Sequence, residues 1–188
     1  MKALGIVGSP RAGGNTEYAT NLALQTLAAE GIETELITLA GKTIMPCTAC
    51  GACSSGETCP LKDDLLPIYF KMKEADAIIL ATPVYFSSAT ALIKALMDRA
   101  GYIARNNGRV FKGKAGGPIV VGRRGGHNFT FAQMNYWYQI LEFYMTGASY
   151  WTIGFGRNKG EVENDVEGNE TVVSFAQNLA YLMKKLYV

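Results

Sequence analysis

Residues 4–16 read Leu4-Gly5-Ile6-Val7-Gly8-Ser9-Pro10-Arg11-Ala12-Gly13-Gly14-Asn15-Thr16. The first four form a short, continuous apolar run, which is typical of a strand buried on both faces of a parallel sheet. The polar, glycine-rich remainder predicts a tight loop, and the helical pattern that follows is stopped by Gly31. A buried strand, a tight loop and a helix in this order predict the first unit of an α/β fold.

The same unit recurs along the rest of the chain. Further strands are predicted over 33–39, 77–81, 119–121 and 151–155. Helices are predicted from the N-cap at 63–64 to 75, and over 89–105, 129–144 and 170–187. This alternation predicts one α/β domain over residues 1–188, with a doubly wound, five-stranded parallel sheet and helices on both faces. Ligands of such sheets bind beyond the carboxyl ends of the strands, so the loops that leave strands 1, 3 and 4 should meet there.

Composition and charge exclude several functions. The net charge is +2 and no run of like charges occurs, which gives no field for nucleic acid or an acidic membrane. No apolar stretch approaches the roughly 20 residues of a membrane span. The first apolar run breaks at Gly8, too early for a signal peptide. We therefore expect a cytoplasmic protein that binds neither nucleic acid nor membrane.

The loop after the first strand has the composition of an anion site. Where a buried strand turns into a helix, backbone N–H groups and the positive end of the helix dipole face outward. Ser9, Asn15 and Thr16 add side-chain donors, and Arg11 adds charge. The loop lacks both G-x-x-x-x-G-K-[ST] and G-x-G-x-x-G. It suits one terminal phosphomonoester, such as that of FMN; the alternative is a glycine-rich turn that binds nothing.

The loops after the third and fourth strands extend this site. Tyr85 and Phe86 follow the third strand next to Pro83, where a flat ring would find backbone hydrogen bonds and an aromatic face. Alternatively these rings belong to the core. The loop over 122–128 has three glycines, which allow close approach of a ligand, and two arginines that face an anionic cofactor, a nicotinamide donor or solvent. His127 is assigned no catalytic role.

All four cysteines lie in one loop, residues 46–60, with the spacing C-x2-C-x2-C-x5-C. They are Cys47, Cys50, Cys53 and Cys59. Three cysteines at successive x2 spacings followed by Cys-Pro favour an iron–sulfur cluster. Zinc and unliganded or redox-sensing thiols remain alternatives, whereas disulfides would be strained at this spacing and out of place in a reducing cytosol.

Four motifs occur together in a fixed order. They are Gly8-Ser9-Pro10-Arg11 through Gly14-Asn15-Thr16, the cysteine loop followed by Asp63-Asp64, the segment Thr82-Pro83-Val84-Tyr85-Phe86-Ser87, and the loop over 122–126. In this order they resemble the iron-sulfur flavoproteins, a branch of the NADPH-dependent FMN reductase group with a flavodoxin-like fold. The resemblance covers nearly the whole chain and implies a bound FMN and a [4Fe–4S] cluster, with electrons passing between them.

The resemblance also implies which residues bind each group. Those that bind FMN would be Ser9, Arg11, Gly14, Asn15 and Thr16 at the phosphate, Pro83, Val84, Tyr85, Phe86 and Ser87 at the ring and ribityl chain, and Gly122, Gly125 and Gly126. The cluster ligands would be Cys47, Cys50, Cys53 and Cys59. No acid or base from the protein is required, because the flavin carries the chemistry.

The function expected from this resemblance is a flavin-dependent oxidoreductase that reduces a small oxidant, a quinone or a partner, with ferredoxin or NAD(P)H as donor. The alternative enzyme is a cluster-free NAD(P)H-dependent FMN or quinone reductase, and a third hypothesis is a non-catalytic thiol sensor. A homo-oligomer, dimer or tetramer, is also implied. The aromatic residues over 131–144 exceed what one helix face needs, so part of this segment is predicted to lie in a subunit interface.

Overall fold

One sheet of six parallel strands organises residues 1–187, which the computed structural model describes. The strands are β1 (Lys2–Val7), β2 (Glu33–Thr38), β3 (Ala77–Pro83), β4 (Ala115–Gly122), β5 (Tyr144–Met145) and β6 (Ile153–Phe155). Their order is β2-β1-β3-β4, and the short strands β5 and β6 both pair with β4. The predicted doubly wound parallel sheet is confirmed, with β5 and β6 sharing its fifth position.

Helices cover both faces of this sheet. They are α1 (Asn15–Ala29), α2 (Leu65–Glu74), α3 (Ala91–Asn106), α4 (His127–Ile140) and α5 (Val166–Leu186). One apolar core joins α2, α3 and α4 to the sheet, and a second core joins α1 and α5 to the opposite face. Because β1, β3 and β4 are buried on both faces, their sequences are nearly continuous apolar or small residues. Among these helices, none is both long and apolar enough to cross a membrane.

The helix predicted over 129–144 is shorter than expected. It runs from His127 to Ile140, and Glu142 then adopts a left-handed backbone conformation with φ of 61°. The chain next pairs Tyr144 and Met145 with the start of β4. The large rings at 143 and 144 are therefore not part of this helix, and Phe143 is buried in the core.

Tyr138 of α4 places its hydroxyl within the ladder between β3 and β4. The neighbouring Pro118 of β4 faces the other side of that strand, where its carbonyl accepts a hydrogen bond from the Thr152 hydroxyl at 2.6 Å. The buried Tyr138 hydroxyl accepts a hydrogen bond from the Leu80 N–H at 2.8 Å and lies 3.1 Å from the Ile78 carbonyl oxygen and 2.9 Å from that of Gly117. Burial raises the pKa of Tyr138, so the hydroxyl keeps the proton that it donates to these carbonyls.

Candidate functional site

The loops that leave β1, β3 and β4 meet around a cavity of about 520 Å³. The residues that line it are Ser9, Arg11, Ala12, Gly14, Asn15, Thr16, Pro83, Val84, Tyr85, Val121, Gly122, Arg123, Gly156, Arg157, Asn158 and Lys159. β1 lies between β2 and β3, so the chain leaves β1 where the strand order reverses. This is the position at which open α/β sheets bind ligands.

The loop after β1 presents an uncapped helix end to the cavity. Ser9 is buried, and its hydroxyl accepts a hydrogen bond from the Arg11 N–H at 3.1 Å, which fixes the turn. Gly14 is the N-cap of α1 and has no side chain to cap the helix. The first N–H groups of α1 are therefore available to an anion at the point where the helix dipole favours one.

Positive charge surrounds this helix end. Arg11, Arg123, Arg157 and Lys159 line the cavity. In the part of the chain that the structure describes, no acidic side chain lines it. A dianionic phosphomonoester at the α1 N-terminus would thus meet backbone donors and cations. The nearby Glu17 carboxylate lies outside the lining and accepts the Gly13 N–H at 2.7 Å.

Asn15 lines the cavity, and its side chain also engages a neighbouring segment. Its amide nitrogen donates to the Asn158 carbonyl at 2.8 Å, and its amide oxygen accepts the Gly160 N–H at 2.8 Å. Both polar ends of the side chain are thus engaged by the segment after β6. Asn15 ties this segment against the start of α1, and the segment brings Arg157 and Lys159 to the cavity.

Three of the five residues expected at the flavin ring line the cavity. These are Pro83, Val84 and Tyr85. Phe86 and Ser87 form a two-residue turn closed by hydrogen bonds between the backbones of residues 85 and 88, and both have left-handed φ angles, 49° and 59°. This turn points Phe86 into solvent, where it is fully exposed and outside the cavity lining.

Gly122, the last residue of β4, and Gly126 in the loop that follows allow close packing between the loops. A Cβ on Gly122 would lie 2.7 Å from His127 Nε2, and one on Gly126, whose φ is 88°, would lie 2.7 Å from Ser87 Oγ. Gly122 lines the cavity, whereas Gly125 and Gly126 do not. His127 is buried, with Nε2 3.2 Å from the Gly154 carbonyl oxygen, which fits a packing role.

The segment over 156–159 is part of the cavity that the sequence pattern did not indicate. Its sequence predicts only a polar surface loop. In the structure it contributes four residues to the cavity lining, Gly156, Arg157, Asn158 and Lys159. Its position directly after β6 was the available signal, because the carboxyl ends of parallel strands lie at one edge of the sheet.

A second cavity, of about 610 Å³, is lined by all four cysteines. The rest of its wall includes Asp98, Arg99, Tyr102, Ile103 and Asn106 of α3. The four thiols are free, and no three His, Cys, Asp or Glu side chains within residues 1–187 come together as a group that would hold a metal ion. The four cysteines thus share one cavity.

A buried ion pair closes the base of the cysteine loop. Asp63 and Arg99 pair with only 1% of each side chain exposed. Arg99 Nη1 also donates to the Met45 carbonyl at 3.0 Å, and the Met45 N–H donates to the Asp63 carboxylate at 2.8 Å. Burial opposes the charged carboxylate, but the hydrogen bonds from Arg99 and two backbone N–H groups hold the pKa of Asp63 below its ordinary value.

Further contacts hold the middle of this loop. The Glu57 carboxylate accepts hydrogen bonds from the Tyr69 hydroxyl at 2.6 Å and from the Lys73 ammonium at 2.5 Å, both on α2. Asn107, which follows α3, donates to the carbonyls of Cys53 and Gly56 at 2.9 and 3.2 Å. The loop is therefore fixed at its base and its middle by protein groups alone.

Nitrogen donors face three of the cysteine sulfurs. Arg99 Nη2 lies 3.1 Å from Cys59 Sγ, Asn106 Nδ2 lies 3.5 Å from Cys53 Sγ, and the Ala49 N–H lies 3.4 Å from Cys47 Sγ. Arg99 Nε is also buried, and it has no hydrogen-bond partner among the residues described. Hydrogen bonds to sulfur stabilise the thiolates and sulfides of iron–sulfur clusters, so this donor set fits a cluster.

The fold and the cavity at its strand ends define a flavodoxin-like protein. Residues 1–158 match the family described as NADPH-dependent FMN reductase. An iron-sulfur flavoprotein of Methanocaldococcus jannaschii is 40% identical, with 98% of each chain covered. One from Methanosarcina thermophila is 36% identical, over 98% of this chain and 96% of the other. The chain therefore belongs to the iron-sulfur flavoprotein branch of the NADPH-dependent FMN reductase family, as its motifs predict, and is a flavin-dependent oxidoreductase.

Solved structures agree on the fold. RosB, determined with a bound riboflavin-5'-phosphate derivative, superposes with a TM-score of 0.80 over 99% of this chain and 80% of its own, at 19% identity. The NAD(P)H:acceptor oxidoreductase FerB of Paracoccus denitrificans superposes with a TM-score of 0.71 over 98% of each chain, at 18% identity. At these identities the similarity establishes the flavodoxin-like architecture alone.

Proposed function

We propose that this protein binds FMN and a [4Fe–4S] cluster and passes electrons between them to reduce a small oxidant, a quinone or a partner protein. One observation carries the proposal: the same chain has a cationic cavity at the switch point of the sheet and a second cavity lined by all four cysteines. FMN, when bound, supplies the redox chemistry, since it exchanges electrons singly or in pairs.

The FMN phosphate would be bound by the loop after β1. Ser9, Gly14 and Thr16 line the cavity beside the uncapped N–H groups of α1, and Arg11 adds charge. The flavin ring would lie against the residues that leave β3, namely Pro83, Val84 and Tyr85, with Gly122 across the cavity. Asn15 also lines the cavity and would contact the phosphate while it holds the segment after β6. The residues that do not line the cavity would act indirectly, by shaping these loops; they are Phe86, Ser87, Gly125 and Gly126.

The cluster would be bound by Cys47, Cys50, Cys53 and Cys59. The protein orients these thiols through the anchors of the loop and through N–H donors directed at three of the sulfurs. The names of the archaeal relatives support this assignment. Four free thiols that work in this way suit the reducing cytoplasm, which we propose as the location.

We also propose an electron donor and an assembly state for the protein. Ferredoxin or NAD(P)H is the proposed electron donor, and a homo-oligomer, dimer or tetramer, is the proposed assembly. Large rings on α4 and after β5 lie exposed, which supports an interface there. These are Phe129, Tyr136, Tyr150 and Trp151. Of the rings over 131–144 that were predicted to reach an interface, Trp137, Tyr138 and Phe143 are instead buried in the core.

A second candidate is a cluster-free NAD(P)H-dependent FMN or quinone reductase. The observation that favours it is the amount of charge at the first cavity, where four cations surround a site for one phosphomonoester. The positive charge beyond what one phosphomonoester needs would suit the phosphates of a nicotinamide donor. Under this alternative the cysteine cavity takes no part in the reaction.

Composition of the anaerobically purified protein tests the proposal. We expect flavin absorption together with iron and acid-labile sulfide, and we expect Cys50→Ser to lose iron while it keeps flavin, since Cys50 lies outside the first cavity. Flavin without iron or sulfide in the unaltered protein would leave only the cluster-free reductase. Absence of flavin would refute both candidates.

Replacing Arg11 with alanine should weaken FMN binding about tenfold. A hydrogen bond to a charged group contributes about 1.5–3 kcal/mol, and 1.4 kcal/mol corresponds to about a factor of ten in affinity. The dissociation constant is measured by titrating flavin-free protein with FMN and following flavin fluorescence. Arg124→Ala is the control, because Arg124 is exposed and does not line the cavity. Equal losses in the two variants would contradict a specific role for Arg11.

A further inference from the structure

The guanidinium of Arg99 has one hydrogen-bond donor more than residues 1–187 use. Arginine carries five N–H donors. Two of them bind the Asp63 carboxylate, one from each terminal nitrogen. The second N–H of Nη1 goes to the Met45 carbonyl, and that of Nη2 goes to Cys59 Sγ at 3.1 Å. Only the Nε–H is left, and Nε is buried without a partner in residues 1–187.

The planarity of the guanidinium places this remaining donor beside the cysteine sulfur. The edge formed by Nη1 and Nη2 faces Asp63. The other N–H of Nη2 and the Nε–H share the adjacent edge and point the same way. Since Nη2 donates to Cys59 from that edge, the Nε–H lies next to the same sulfur. A buried N–H without a partner is destabilising, so this edge of the guanidinium favours a further acceptor.

Arg99 is also the only cation that lines the cysteine cavity in the described part of the chain. The wall contains one other charged side chain, Asp98, and the loop over 46–60 contains no Lys or Arg. Arg99 lies on α3, at the end of a bidentate pair that restrains its geometry. Its donors are therefore held in place before any ligand arrives.

We propose that Arg99 positions Cys59 and donates its remaining N–H to a sulfur of the bound cluster, and that it thereby raises the reduction potential of the cluster. This inference rests on the proposed function, since it requires the [4Fe–4S] cluster. Reduction adds one negative charge to the cluster, and hydrogen bonds to its sulfurs together with a nearby cation stabilise the reduced state more than the oxidised state. Arg99 acts on the cluster alone and binds no substrate.

The test is the midpoint potential of the cluster in anaerobically purified, FMN-containing protein, followed by electron paramagnetic resonance during a reductive titration. In the double variant Asp63→Asn/Arg99→Gln, neither buried charge is left unpaired. We expect its cluster to be at least tenfold harder to reduce, a potential about 59 mV more negative. Asp63→Asn alone keeps the cation and removes its counter-charge, so its potential should shift in the positive direction.

Arg105→Gln is the matched control, since Arg105 lies on the same helix, is exposed and does not line this cavity. Its potential should equal that of the unaltered protein. Loss of iron from a double variant that keeps its flavin spectrum would support the positioning role. If the double variant does not fold, Arg99→Lys replaces it, because lysine keeps the charge but lacks the planar fork.

Failure of the role proposed for Arg99 can be distinguished from failure of the proposed cluster itself. Unchanged potentials and iron content in the Arg99 variants would overturn the role of Arg99 and leave the cluster in place. Absence of iron and sulfide from the unaltered protein would overturn this inference together with the cluster part of the proposed function.

Discussion

Replacing Arg99 with leucine is expected to lower the free energy of unfolding by about 3–5 kcal/mol, the usual cost of breaking a buried ion pair from one side. The variant leaves the Asp63 carboxylate, 1% exposed, without its cation. It also removes the donor to the Met45 carbonyl at the base of the cysteine loop. Urea unfolding of the metal-free, reduced protein, followed by circular dichroism, measures this cost apart from any cluster.

Two further variants show whether the loss of stability in Arg99→Leu comes from the unpaired charge of Asp63. Asp63→Leu/Arg99→Leu removes both charges and should recover part of the lost stability, because no buried charge then remains unpaired. Recovery is incomplete because the Met45 and Leu65 N–H groups lose their acceptor. Lys94→Leu breaks the exposed pair with Asp98 on the same helix, and it should cost no more than about 0.5 kcal/mol. A double variant as unstable as the single one would show that the loss comes from packing and from hydrogen bonds to the backbone, and not from the unpaired charge.

Tyr138→Phe is expected to destabilise the protein by about 1–3 kcal/mol, although the substitution removes only one oxygen atom. Without the hydroxyl, the Leu80 N–H loses its acceptor and the Ile78 and Gly117 carbonyls lose a donor, all within the buried sheet. The ring itself remains, so no large cavity forms. The midpoint and slope of urea unfolding report the change.

The control for this prediction is Tyr136→Phe on the same helix. Tyr136 is 68% exposed, so its hydroxyl can be replaced by water, and the variant should stay within about 0.5 kcal/mol of the unaltered protein. Similar losses in the two variants would contradict the role assigned to the Tyr138 hydroxyl in the sheet.

The sequence predicted the sheet well because its central strands are buried on both faces. Such strands consist of continuous apolar runs that need no partner to be recognised. The start of β4 escaped this signal, since it begins with Ala115, Gly116 and Gly117. A Cβ on Gly117 would lie 2.8 Å from the Phe175 ring, and one on Gly116 would lie 3.0 Å from the Tyr138 ring. The apolar groups that fill this part of the core come from α4 and α5, so the strand itself shows no pattern.

The position of the candidate site was predictable because the sequence indicated where the central strands end. The three exit loops converge as parallel topology requires, and the four cysteines share one cavity as their spacing indicates. Arg99 was not predictable in its role, because its partner Asp63 lies 36 residues away along the chain. The engagement of Asn15 by Asn158 and Gly160 spans an even longer separation. Such pairings depend on tertiary packing, which no local motif encodes.

The division of the outer sheet position between β5 and β6 has a consequence for solubility. An exposed strand edge offers a row of unpaired N–H and C=O groups, on which a strand from another molecule can add. Here that edge consists of two residues and then three, separated by the chain over 146–152. Neither piece is long enough to template a strand from another copy. The edge beside β4 is thereby protected from the edge-to-edge aggregation to which sheet proteins are prone.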